Sequence, residues 1–277
     1  RILSTNLAGL GLYEVKTYSF VGEKDYENAK LSAKNTVRIS NPIAPDLNLV
    51  RSSLLPSLLG TTAKNQPEHM DFGLFEISRV VHKELDKENL HKQPWTLGVV
   101  MNLKEDVNEP FNSIKGILEN LSRQLNLEFT YTAGIKTPTK EAFHPYQSAT
   151  ILLDKKPIGV IGVAHPEVVF NFDLRGKIVM LELNLDELIP LVDRQPHYIQ
   201  LANFPEVERD VSFWLPDNVV YQDIKDSISR LDLPLLKELR VKDVYREQKS
   251  NKHSITLTLL FQSHSKTLTD EEVTKLV

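Results

Sequence analysis

Apolar residues recur along the chain at two spacings, and each spacing predicts its own kind of element. Ile2, Leu3, Leu7 and Leu10 share one face of a helix over 1–11, which Gly9 and Gly11 close. Residues 13–21 read as a strand, and 37–39 as a short extended piece ended by Asn41-Pro42. A second helix is expected over 51–64. It places Leu54, Leu55, Leu58 and Leu59 on one side, with Pro56 in the first turn, where a missing N–H costs little. Residues 72–81 and 95–103 look like paired strands around the charged loop 83–92. Ile114, Ile117, Leu118, Leu121 and Leu125 mark an amphipathic helix over 112–125. Strands follow at 148–153, 157–164 and 177–183, the first two joined by the turn Asp154-Lys155-Lys156-Pro157. The first two-thirds therefore predicts an α+β domain around a mostly antiparallel sheet.

A polar stretch with Pro196, over 193–202, reads as a linker. Beyond it the pattern is compact. A strand at 207–215 leads to a helix at 219–231 with Val220, Ile224, Ile228 and Leu231 inward. Strands at 239–245 and 255–261 follow, and then a helix start at Leu268-Thr269-Asp270-Glu271-Glu272, whose acidic first turn suits the helix dipole. This β-α-β-β-α order is a ferredoxin-like split unit without its last strand.

Composition narrows the chemistry. The 277 residues hold 33 Lys and Arg, 37 Asp and Glu, and no cysteine. Disulfides, thiolate metal sites and a cysteine nucleophile are excluded. A net charge of -4 gives no globally basic surface for nucleic acid. The chain opens on Arg1, so a piece of something longer is expected. His144 and His165, each followed by proline, lack ligand spacing and read as turn or helix-start residues. The glycines at 9–11 and 159–162 lack the spacing of a phosphate loop, and Ser52-Ser53 lacks a nucleophile elbow and reads as a helix cap. One stretch differs. Residues 237–253 carry six cations against three anions, about +3, around Tyr245. A sheet face with an aromatic residue and flanking cations can stack single-stranded bases, and a solvated hairpin would share the same charges.

Several segments together carry a family resemblance. Asn41-Pro42-Ile43 with the segment from Leu49 to Leu59, the segment from Leu74 to Val80, Lys115-Gly116 with Glu119, Phe143-His144-Pro145 and the segment from Gly162 to Val168 resemble motifs of bacterial phenylalanyl-tRNA synthetase β subunits. Phe204-Pro205, Arg209-Asp210, Val244-Tyr245-Arg246, Lys252-His253-Ser254 and the segment from Thr267 to Glu272 resemble that subunit's C-terminal anticodon-binding module. The resemblance runs in order along essentially the whole chain.

It implies a class II synthetase-like antiparallel domain over 1–197 and a ferredoxin-like anticodon-binding domain over 198–277. It implies a cytoplasmic (αβ)2 heterotetramer with an α subunit that makes phenylalanyl-adenylate and charges tRNA-Phe. ATP and Mg2+ belong to that holoenzyme and no cofactor to this segment. Arg79 matches the first class II motif arginine, but Val81 and His82 stand in the region of the catalytic one, and 177–184 lacks the second. The core is thus expected to be non-catalytic and kept for assembly, with Ile2, Leu3, Leu7, Leu10, Tyr13 and Val15 facing α, an intramolecular core helix being the other reading of the helix. In the tail, Ser212, Tyr245 and Ser254 take the positions that frame the first anticodon base, with Ser212 replacing the usual alanine. Arg209, Arg246, Lys249 and Lys252 would contact phosphates or the base edge, although Arg209, in an Arg-Asp pair at a strand start, also reads as structural. A catalytic class II subunit, or an RNA-binding protein reusing the ferredoxin-like module, are the other readings.

Overall fold

The computed structural model describes residues 1–135, 137–192, 200–216, 219, 221–231, 233–246 and 252–277, with Arg246 described by its backbone alone. The chain divides into two compact units, Arg1–Gln195 and Pro196–Val277. In chain order the first unit contains α1 (Ile2–Gly9), β1 (Leu12–Glu14), β2 (Phe20–Val21), α2 (Glu23–Asn28), β3 (Val37–Arg38), β4 (Leu49–Val50), α3 (Leu55–Asn65), β5 (Phe72–Arg79) and β6 (Trp95–Leu103). It continues with α4 (Pro110–Leu125), β7 (Thr130–Ala133), β8 (Phe143–Leu153), β9 (Lys156–Ala164), α5 (Pro166–Asn171), β10 (Lys177–Asn184) and α6 (Leu185–Leu188).

A seven-stranded sheet in the order β1-β5-β6-β10-β9-β8-β7 organises this unit. Only the β1–β5 pair is parallel; the others are antiparallel. Both faces are covered, so the central strands read as unbroken apolar runs rather than alternating ones. On β10, Val179 and Leu181 enter the core that α1 and α4 close, while Ile178 and Met180 enter the core closed by α2 and α3. Helix α3 lies close on the sheet at Gly98. A Cβ there would stand 2.8 Å from both Leu54 Cβ and Leu58 Cδ1. The β8–β9 hairpin turns on Asp154 and Lys155, both at positive φ, as a two-residue primed turn requires.

Two sequence expectations shift here. The strand read over 13–21 is two short strands in different sheets. β1 joins the large sheet, and β2 joins a three-stranded sheet in the order β2-β4-β3. Between them Thr17 donates its N–H and hydroxyl to Glu76, which carries the chain from one sheet to the other. The helix read from Arg51 begins at Leu55 instead. Residues 51–54 are held by long-range partners: Arg51 by Glu76, and Ser53 and the Leu54 N–H by Glu182.

The second unit contains β11 (Val207–Pro216), α7 (Tyr221–Ser229), β12 (Leu236–Arg246), β13 (Lys252–Phe261) and α8 (Asp270–Thr274). Its antiparallel sheet has the order β11-β13-β12. One face is apolar. Val211, Phe213, Ile255, Leu257 and Leu259 pack there with Ile224 of α7 and Val273 of α8. Helix α8 starts on a reciprocal capping box between Thr269 and Glu272. On β12 the register slips between Val241 and Asp243, so Lys242 is an extra residue in the ladder.

Candidate nucleic-acid interface

Alternation on three strands builds the candidate site. On β11 the even-numbered residues from Glu208 to Pro216 are exposed and the odd ones half-buried. Trp214 pairs with Ser254, and Ser254 pairs with Tyr245, so the three form one row across the sheet on the face that the helices leave uncovered. Tyr245 is 58% exposed and Trp214 54%. Their rings meet edge to face, with centroids 6.2 Å apart and planes at 83°. Such contacts favour the perpendicular arrangement because ring faces are negative and edges positive. In the next row Ser212 faces Thr256, and their hydroxyls hydrogen-bond at 2.8 Å.

The sequence-predicted residues divide. Ser212, Tyr245 and Ser254 come together on this face. Arg209 does not. It pairs with Leu259 on the helix-covered face, where its guanidinium donates to Asp270 of α8 and, at 2.8 Å, to the Glu208 carbonyl. Strand parity places it on that face, where it ties β11 to α8. Lys252 is exposed at the start of β13, opposite Pro216. Arg246 ends β12, paired through its backbone with His253. Lys249 lies outside the described residues.

Charge is also redistributed. Among the described residues, three cations of that segment are bound within the unit: Lys237 to Glu206, Arg240 to Glu238, and Lys242 to Asp210. Hydrogen bonds from Lys242 and Thr258 hold the Asp210 carboxyl below its ordinary range, and Arg240 does the same for Glu238. The uncovered face therefore changes along its length. Ion pairs occupy one part, and hydroxyls and aromatic rings occupy the row near the β12–β13 connection. Trp214 was missed in the motif reading, which followed Ser212, Tyr245 and Ser254 alone. The signal was available, since Trp214 is two residues after Ser212 on the same strand and shares its face.

In the first unit, Leu7 is fully buried within the core, and Leu3 and Val15 pack against core residues. These three belong to internal packing rather than to a free apolar face: Leu3 and Leu7 because α1 lies against β1 and α4, and Val15 because it packs into the core on the sheet's other side. Ile2, Leu10 and Tyr13 remain exposed, at 49%, 37% and 66%. His165 caps α5, its Nδ1 accepting from the Glu167 N–H, and His144 Nδ1 accepts from the Tyr146 N–H. Arg79 donates to the Gln93 carbonyl at 2.7 Å and lies over the Trp95 ring at 5.2 Å.

Comparison with known proteins gives these placements a context. Residues 1–185 match the family described as phenylalanyl tRNA synthetase beta chain CLM domain. Residues 202–277 match the ferredoxin-fold anticodon binding domain. The phenylalanine–tRNA ligase beta subunit of Clostridium tetani is 32% identical over 278 residues, covering 98% of this chain and 34% of the relative. That of Thermotoga maritima is 30% identical, covering 100% and 35%. The chain thus spans about a third of the length of these relatives. Among solved structures, a pyrrolysyl-tRNA synthetase from Desulfitobacterium hafniense aligns with a TM-score of 0.53 at 11% identity, over 68% of this chain and 63% of that one. At that identity the likeness speaks for the fold alone. No helix among the described residues is long and apolar enough to cross a membrane.

Proposed function

The chain belongs to the phenylalanyl-tRNA synthetase beta-chain family, and from that membership we propose that it carries two tasks of a cytoplasmic phenylalanine–tRNA ligase. The second unit binds the anticodon of tRNA-Phe. The first assembles with the catalytic α subunit in an (αβ)2 heterotetramer. The holoenzyme activates phenylalanine with ATP and Mg2+ and charges tRNA-Phe.

The observation that carries the anticodon reading is the Trp214–Ser254–Tyr245 row, exposed on the uncovered face of the unit that matches the anticodon-binding family. Base stacking on an aromatic ring contributes roughly 1–3 kcal/mol. With planes at 83°, the two rings cannot both stack on one base. One serves as platform and the other as side wall, and the Ser254 hydroxyl between them can donate to a base edge or accept from it. The Ser212–Thr256 hydroxyl pair offers a second polar point one row away. Lys252, Arg246 and Lys249 supply phosphate contacts around the β12–β13 connection.

Two arginines of the first unit are already engaged by its own residues, which speaks against a nucleotide role for them. Adenylate formation needs cations on the developing pyrophosphate charge. Arg51 is committed to Glu76, and Arg79 to Gln93 and Trp95. A cavity in the unit presents the half-buried carboxylate of Glu182. No chemical step is assigned to this chain, and ATP and Mg2+ are placed with the α subunit.

The test is tRNA-Phe binding and charging by the assembled full-length enzyme. Tyr245→Ala should weaken tRNA-Phe binding about tenfold or more at constant salt, with phenylalanine-dependent ATP–pyrophosphate exchange unchanged. Unchanged tRNA affinity would remove the stacking role.

A further inference from the structure

The first unit carries an open cavity of about 560 Å3, lined by residues of that unit alone. Its apolar lining includes Leu31, Val80, Ile158 and Val160, and its polar lining includes Thr96, His82 and Glu182. These residues come from the segment after α2, the ends of β5 and β10, the start of β6, and β9, so the large sheet fixes the wall.

Glu182 stands out within it. Its carboxylate accepts from the Ser53 hydroxyl at 2.9 and 3.1 Å, and Oε1 accepts from the Leu54 N–H at 2.7 Å. Oε2 is left with the longer arm of the shared Ser53 bond. A carboxylate has about four lone-pair sites, so it retains accepting capacity. Arg51, the cation whose field reaches Glu182, is already held by Glu76 through two hydrogen bonds. Arg51 and Glu76 cancel, and Glu182, half-buried beside them on the cavity wall, leaves the group with one excess negative charge. A buried charge without an opposite partner is costly. A ligand that brings a cation would relieve that cost, and an anionic ligand would add to it.

We propose that this cavity is a binding site for a small organic cation, a primary ammonium on an apolar body, seated with its N–H groups on the Glu182 carboxylate and the Thr96 hydroxyl. The apolar body rests on Leu31, Val80, Ile158 and Val160. Primary amines are protonated at neutral pH, with an ordinary pKa of about 10.4.

The experiment uses the assembled full-length enzyme with phenylalanine at saturation, so that the amino-acid site of the partner is filled. Three probes of one shape are titrated by calorimetry: cyclohexylmethylamine, cyclohexylmethanol and cyclohexanecarboxylate. The amine should bind at least tenfold more tightly than the alcohol, and the carboxylate should not bind. Glu182→Gln should remove that preference and leave the alcohol unchanged. Equal affinity of amine and alcohol in the wild-type enzyme, or an amine that binds Glu182→Gln as tightly as wild type, overturns the proposal.

Should Glu182→Gln fail to assemble, pH gives a second readout on the wild-type enzyme. Burial pushes Glu182 up to about 6. Amine affinity should therefore fall about tenfold from pH 7.5 to pH 5, as the carboxylate takes up a proton. The other titratable or charged groups around it are Tyr26, Arg51, Glu76, His82, Lys83 and Glu84. His82 is the one besides Glu182 that could add charge in that window, so His82→Gln should keep the fall. A flat profile in wild type, or a fall abolished by His82→Gln, refutes the assignment.

Discussion

Arg51 grips Glu76 from both terminal nitrogens, at 2.8 and 3.2 Å, in a site where the two side chains are 1% and 0% exposed. Thr17 joins them, donating its hydroxyl to Glu76 and accepting from Arg51, each at 2.6 Å. The pair ties the segment ahead of α3 to β5 and to the crossing between β1 and β2. Removing one member leaves a buried charge, which costs roughly 3–5 kcal/mol, whereas replacing both by apolar residues of similar volume is often close to neutral. Glu76→Ala should therefore lower unfolding free energy by about that amount in urea. Arg51→Met with Glu76→Leu should recover most of the loss. Equal destabilisation by the single and double changes would show that the pair is not the unit of stability.

At Gly98 the start of α3 lies close on the sheet. A methyl group there meets Leu54 and Leu58 at 2.8 Å, a separation that forces the helix outward. Overpacking of this kind costs typically 1–3 kcal/mol. Gly98→Ala should lower the denaturation midpoint without changing the slope against urea, while Gly116→Ala, where a Cβ meets nothing within 4 Å, should be neutral or mildly stabilising.

The two faces of the second sheet make opposite predictions. Trp214→Ala, like Tyr245→Ala, should weaken tRNA-Phe binding by roughly 1–3 kcal/mol. Arg209→Met should leave affinity within about twofold, since its guanidinium serves Asp270 on the helix-covered face. Its effect should be a small loss of stability, about 0–1 kcal/mol for a partly exposed pair. Fluorescence anisotropy with labelled tRNA-Phe separates these cases. A tenfold loss in Arg209→Met would return that residue to the RNA surface.

Glu182 gives a pH dependence of known sign. Its folded pKa of about 6 lies above the ordinary 4.5, because burial outweighs the Leu54 and Ser53 hydrogen bonds and the pull of Arg51. The folded state then binds the proton more tightly than the unfolded one. Stability from this group is full below about pH 4.5 and is lost as pH rises through about 6, a change of about 2 kcal/mol. The slope of unfolding free energy against pH between 4.5 and 6.5 should be more positive in Glu182→Gln than in wild type. Identical slopes would show that Glu182 titrates normally.

Much of this architecture was legible where structure is local. The α4 stripe, the two-residue turn at Asp154-Lys155 and the acidic start of α8 follow from spacing and turn chemistry within a few residues. The start of α3 was not legible, because it depends on Arg51, Ser53 and Leu54 finding Glu76 and Glu182 far along the chain. The face of Arg209 was not legible for a related reason. Its charge is visible in the sequence, but its face is fixed by alternation against Leu259. Trp214 was readable by that same alternation. The cavity was not, since its wall gathers residues from 26 to 184.

The extra residue at Lys242 resets the alternation of β12. Counted in steps of two from Leu239 and Val241, Tyr245 would point into the helix-covered side, with Leu259 and Leu257. The bulge advances the strand by half a period, and Tyr245 emerges beside Ser254 instead. At Lys242 β12 thus changes phase, from a stretch whose Leu239 packs the core to a stretch that turns Tyr245 to the opposite face. A one-residue deletion at position 242 that preserved the pairing on both sides would keep Tyr245 where it is. The same deletion absorbed by sliding the outer segment would bury it. The length of this strand, as much as the identity of its tyrosine, therefore decides which side of the sheet carries the aromatic ring.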